Sequence, residues 1–226
     1  MAEQLTFDLP VREALGREDF FVSAANAVAL AALDDWPNWP QGKMALIGPP
    51  GAGKTHLAHV WAAEARACIL PAQALTGADL PALGPAVGIE DADEIAGDRP
   101  AEEALFHLHN LTAAQGGRLL LTAKTPPNRW PLGLPDLASR MQATALARLD
   151  LPDDALLTAV LMKLFADRQL AVPPAVLTYL ATRIDRSFAA ARDAVERLDA
   201  FALAERRPIT RPLAAQALDL EAPDTP

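Results

Sequence analysis

Gly48-Pro49-Pro50-Gly51-Ala52-Gly53-Lys54-Thr55 is the stretch from which the fold is read. Its spacing is GxxxxGK[ST], and it stands between an apolar run, Met44-Ala45-Leu46-Ile47, and an alanine-rich helical pattern over residues 54–66. A strand, a glycine-rich turn and a helix in that order form a phosphate-binding loop. The glycines let backbone N–H groups converge on phosphate oxygens at the positive end of the helix dipole. Lys54 then reaches the β- and γ-phosphates, and the Thr55 hydroxyl is placed for Mg2+. Pro49, Pro50, Gly51, Ala52, Gly53, Lys54, Thr55 and the following His56 are therefore expected to line a site for ADP or ATP.

Outward from the loop, four more apolar runs read as strands: residues 68–70, 86–89, 118–122 and 144–149. Helical patterns separate most of them, notably 54–66 and 101–115. Such alternation predicts a parallel sheet covered on both faces. After Leu151-Pro152 the pattern turns all-helical, with helices expected over 153–169, 174–183, 187–205 and 210–218. Pro174 and Pro212 suit first-turn positions there. Upstream, residues 23–33 read as a helix with Ser23 as N-cap. Residues 36–40, with two prolines, and 76–85, rich in Gly and Pro, read as loops. The expected organisation is a leader at 1–12, a nucleotide-binding α/β domain at 13–150 and a helical domain at 151–226.

A phosphate loop needs a partner acid at the tip of another strand. The run Ala86-Val87-Gly88-Ile89 ends in Glu90-Asp91, so Glu90 is expected to hold the metal's water shell and Asp91 to polarise an attacking water. The usual order places Asp first. Here the longer side chain leads, which shifts each carboxylate by about 1.5 Å, one methylene. An in-line water is sensitive to such a shift, so tight binding with slow hydrolysis is expected.

Half the 226 residues are hydrophobic, enough for a sizeable core. The single cysteine, Cys68, permits no internal disulfide, which makes a reducing, cytoplasmic setting the default. The start Met1-Ala2-Glu3-Gln4 lacks a secretory pattern, and no apolar run approaches the roughly 18 residues of a membrane span. The net charge of −9 argues against a general affinity for nucleic acid. His56, His59 and Glu64 could be imagined around a metal, yet histidines after a phosphate loop more often pack beside the sheet.

Three further segments carry a family resemblance. Phe20-Phe21-Val22-Ser23-Ala24-Ala25-Asn26, Leu134-Pro135-Asp136-Leu137-Ala138-Ser139-Arg140 and Ile184-Asp185-Arg186-Ser187-Phe188 resemble, in order, segments of DnaA-type AAA+ ATPases. The resemblance implies a P-loop AAA+ α/β fold with a five-stranded parallel sheet flanked by helices, plus a small all-helical lid domain. It also implies that Phe21, Val22 and Asn26 border the adenine, and that Arg140 is an arginine finger acting in trans on a neighbour's γ-phosphate. Arg186 would contact this chain's own phosphates, unless the family's arginine aligns with Ala189; otherwise Arg186 pairs with Asp185 or Asp193. Where the family has an acid after the fourth strand, this chain has Lys124, which weakens any ATPase of its own.

The family's helix-turn-helix domain has no counterpart here, so no direct sequence-specific DNA binding is expected. The leader Gln4-Leu5-Thr6-Phe7-Asp8-Leu9 resembles the peptide by which bacterial proteins dock on the DNA polymerase sliding clamp, its beta subunit. Gln4 would supply an amide, and Leu5, Phe7 and Leu9 would fill an apolar pocket. Together these features imply a regulator that docks on the clamp, stimulates hydrolysis of DnaA-bound ATP through Arg140 and prevents re-initiation. Such a protein would be cytoplasmic, at the nucleoid or replisome, and a homo-dimer is compatible with it. The rival reading is a DnaA-like adaptor or helicase loader.

Overall fold

The computed structural model of the chain describes residues 22–23 and 26–219. Strands β1 (Lys43–Ile47), β2 (Cys68–Pro71), β3 (Ala86–Glu90), β4 (Arg118–Ala123) and β5 (Ala145–Arg148) form one sheet in the order β2-β3-β4-β1-β5. Every neighbouring pair is parallel, with Ile47 beside Ala123 and Arg148. This is the five-stranded parallel sheet that the alternating pattern predicts.

The period-two geometry of a strand sends alternate side chains to opposite faces. Ala45, Ile47, Leu119, Leu121, Val87 and Ile89 pack on one face with Leu105 and Leu108 of α3 (Arg99–Ala114) and with Leu137 and Met141 of α4 (Pro135–Gln142). Met44, Leu46 and Leu120 pack on the other, with α1 (Ala27–Asp34) and α2 (Lys54–Ala65). Burial on both faces explains why these strands read as unbroken apolar runs. Trp39, buried, stacks on Trp61 at 5.5 Å between ring centroids and donates Nε1–H to the Ala32 carbonyl at 2.7 Å.

The remaining helices, α5 (Asp154–Asp167), α6 (Pro174–Ala181), α7 (Phe188–Glu205) and α8 (Arg211–Ala217), close a separate core running from Leu157 to Leu218. Their starts are written in the sequence. Asp153, Ser187 and Thr210 each accept a backbone N–H of the first turn, from Leu156, Ala190 and Leu213 respectively. Among the described residues no helix is long and apolar enough to cross a membrane.

Three local expectations are corrected. Helix α1 starts at Ala27 after Asn26, because the Asn26 side chain reaches back to the Ser23 N–H at 2.8 Å and closes a turn ahead of the helix. The prolines at 37 and 40 sit at first-turn positions of 3-10 helices, Trp36–Asn38 and Pro40–Gly42, where a missing N–H is harmless. Within 76–85, Leu80–Leu83 is also a 3-10 helix, and Ala72–Gly77 is another before it. The sequence reading also missed α4 as an element.

Candidate functional site

The phosphate loop links β1 to α2 at the C-terminal edge of the sheet, where ligands bind in open α/β folds. Gly51 and Gly53 hold φ of +77° and +90°, left-handed values that glycine adopts without a steric penalty. Lys54 is buried, and its Nζ donates to the carbonyls of Gly48 at 2.8 Å and Pro49 at 3.0 Å. Burial lowers its pKa, the charges of Asp91 and Asp93 work the other way, and Lys124 adds to the lowering. Because its hydrogen bonds go to carbonyls and not to a carboxylate, its charge remains available to an anion. Thr55 is exposed in the first turn of α2, with His56 half-buried behind it.

Glu90 closes β3, and its Oε1 is buried with no hydrogen-bond partner among the described residues. Asp91 follows with φ of 50° and donates its N–H to Thr122 Oγ1 at 3.1 Å, which ties it to β4. A buried carboxylate oxygen lacking a donor, at the same end of the sheet as an exposed Thr55 hydroxyl, suits a hydrated cation. This donor set fits Mg2+, which keeps several waters and takes phosphate oxygens as further ligands. Among the described residues no group of three or more His, Cys, Asp or Glu is arranged to hold a metal.

Lys124 lies at the same end, since the preceding Ala123 carbonyl accepts the Gly48 N–H at 3.2 Å. Its Nζ is 2.8 Å from Glu94 Oε1 and its N–H donates to Asp93 Oδ2 at 3.1 Å. Glu94 also accepts from Gln73.

The lid closes over the loop. Phe188 N–H donates to the Gly51 carbonyl at 3.2 Å. A Cβ on Gly51 would lie 2.4 Å from Ser187 Cβ, and one on Gly53 would lie 2.9 Å from the Phe188 ring. The loop's glycines therefore serve lid contact as well as phosphate approach. Arg186 is 2.8 Å from Asp154 of α5, so its ion pair is with neither Asp185 nor Asp193, the alternative partners read from the sequence. Val22 is largely exposed and Asn26 buried, whereas Phe21 lies outside the described residues.

Comparison with known proteins bears on the architecture and on the lid. Residues 153–218 match the family model described as Hda, lid domain. The solved structure of domain III from the Thermotoga maritima replication initiation protein DnaA superposes with a TM-score of 0.78 at 19% identity, over 93% of this chain and 98% of that one. AMPPCP-bound DnaA from Aquifex aeolicus gives 0.68 at 16% identity, over 80% of this chain and 64% of that one. The Thermotoga maritima RuvB Holliday junction branch migration motor gives 0.65 at 20%, over 84% and 65%. At such identities the structural likeness is one of fold, and the lid model adds the type. Residues 153–218 are of the Hda lid type, in a chain that has the fold of DnaA domain III.

In this chain Arg140 lies in the last turn of α4, half-buried. Its guanidinium sits 4.6 Å over the Phe106 ring and donates to the Asp136 carbonyl at 3.2 Å. Its own carbonyl accepts from Lys43, the first residue of β1, at 2.9 Å. The phosphate loop follows the last residue of β1, roughly 13 Å of strand away. Arg140 and the loop therefore occupy opposite ends of the sheet. The site residues that sequence reasoning missed are Lys43 and Glu102, buried charges around α4 whose burial no local pattern announces. Gln4, Leu5, Phe7 and Leu9 lie outside the described residues.

Proposed function

We propose that this chain, with its Hda-type lid, inactivates the replication initiator DnaA by stimulating hydrolysis of the ATP bound to it. The observation that carries the reading is the place of Arg140, half-buried at the sheet end remote from its own phosphate loop and so suited to a nucleotide on another subunit. A guanidinium there neutralises charge building on the transferred phosphoryl group, and removing one costs about 10³–10⁵ in rate. The leader supplies the tether, with Gln4, Leu5, Phe7 and Leu9 engaging the sliding clamp and raising the local concentration near DnaA.

The chain's own nucleotide, ADP or ATP with Mg2+, is held by residues 49–56, Glu90 and Asp91, with Val22 and Asn26 toward the base and Arg186 near the lid. When bound, it supplies an anionic bridge between lobe and lid, and turnover is slow because Lys124 stands where a water-polarising acid is needed. The protein acts in the cytoplasm at the replisome.

Reconstituted hydrolysis of DnaA-bound ATP, with clamp loaded on DNA, tests the reading. Arg140→Ala is expected to abolish the stimulation, and Gln4→Ala to raise the concentration needed for it. Stimulation equal to wild type by Arg140→Ala would rule out the finger, and an unchanged concentration dependence for Gln4→Ala would rule out the tether.

A further inference from the structure

Two charged side chains outside the nucleotide site are almost wholly buried, Glu102 at 1% exposure and Lys43 at 2%. An ion is costly to bury unless its lone pairs or protons are met, so the partners of each are informative. Each has a hydrogen bond to one end of α4. Glu102 Oε2 accepts from Leu134, the N-cap of α4, at 2.7 Å, and Oε1 accepts from Gly133 at 3.0 Å and Gly97 at 2.9 Å. Lys43 Nζ donates to the Arg140 carbonyl in the last turn and lies 3.1 Å from His109 Nε2. His109 Nδ1 faces Asn110 Oδ1 at 3.4 Å, consistent with a neutral ring whose Nε2 accepts from the ammonium.

Glu102, Phe106 and His109 are spaced i, i+4 and i+7 on α3, one face of that helix. A single stripe therefore grips the start of α4, underlies the Arg140 guanidinium through the Phe106 ring, and reaches the end of α4 through Lys43. Leu137 and Met141, both fully buried, hold α4 against the sheet, but apolar contacts alone are non-directional. The hydrogen bonds at the two ends fix its axial register.

We infer that Glu102, Phe106 and Lys43 are positioning residues that set the register of α4 and the direction of the Arg140 guanidinium, presenting it to a nucleotide on a partner subunit. The inference rests on the function proposed above. A displacement of about 1 Å at a reacting centre costs on the order of 10²-fold.

The test uses the full chain with clamp on DNA and ATP-loaded DnaA, reading the maximal stimulated rate separately from the half-saturating concentration. Glu102→Gln and Phe106→Leu are expected to lower the maximal rate about ten- to hundredfold with the half-saturating concentration changed less than about twofold. Phe106→Tyr, which keeps an aromatic face, restores the rate. In an Arg140→Ala background Phe106→Leu adds nothing. Retention of the ADP-induced thermal shift verifies that each variant is folded. Loss of stimulation in Arg140→Ala, together with wild-type maximal rates in Glu102→Gln and Phe106→Leu, overturns this inference alone. Full stimulation by Arg140→Ala overturns the finger and this inference with it.

Discussion

Gly51 is one of the residues at which lobe and lid meet. Its φ of +77° already disfavours any side chain, and a Cβ there would run into Ser187 at 2.4 Å. Gly51→Ala should therefore destabilise the nucleotide-free chain by about 1–3 kcal/mol, read by urea unfolding; an unchanged midpoint would mean that the lid does not rest on the loop in solution. Lys54 answers a different question. Its ammonium is held by the Gly48 and Pro49 carbonyls, so Lys54→Ala should remove the thermal shift produced by ADP with Mg2+ while leaving the ligand-free melting temperature within a few degrees. A full shift in that variant would mean that the nucleotide is bound elsewhere. At this scale the sequence is readable where chemistry dictates spacing, as in residues 48–55. It is silent where a long side chain chooses among acids: Arg186 selects Asp154, from a different helix, over two nearer in sequence.

Among the elements, α4 is held by ions as much as by apolar contacts, and this has a pH signature. Burial acts to raise the pKa of Glu102, but the N–H groups of Gly133, Gly97 and Leu134 outweigh it, and the net shift is downward from 4.5. The unfolded chain thus binds this proton more readily than the folded one, and stability rises with pH across the window. The contribution is complete above pH 4.5 and is lost as pH falls from there through the folded value. Wild type should weaken over that window more than Glu102→Gln, followed by denaturant midpoints at several pH values; parallel profiles would count against a charged Glu102. The starts of α5, α7 and α8 were legible because Asp153, Ser187 and Thr210 each cap forward, onto the first turn. Asn26 bonds backward to Ser23, so the α1 boundary was misplaced. Helix α4 carries Pro135 at its start and the pair Leu137 and Met141 at i, i+4, a signal present but short.

At the scale of the whole molecule, two cores, one around the sheet and one within the lid, meet across the glycine-rich loop between β1 and α2. A ligand touching both should report on their union. At a hundredfold above its dissociation constant, a nucleotide adds about 2.7 kcal/mol. For a chain of this size that raises the melting temperature by roughly 5–10 °C. Calorimetry showing one sharpened transition supports the arrangement, whereas a shift confined to a sheet transition with an unmoved lid transition would count against it. The parallel sheet and the helical lid were legible from the change of hydrophobic period after Leu151. What stayed hidden was the strand order, because nothing local to β1 tells it that its neighbours are β4 and β5.

That order has a consequence during synthesis. Met44 pairs with Ala145, a residue made about 100 positions later. At roughly 5–20 residues per second, β1 waits about 5–20 s on the ribosome before its second neighbour exists. Throughout that wait an apolar strand with at least one open edge is exposed to other nascent chains. The lid, whose contacts are local, needs no such delay.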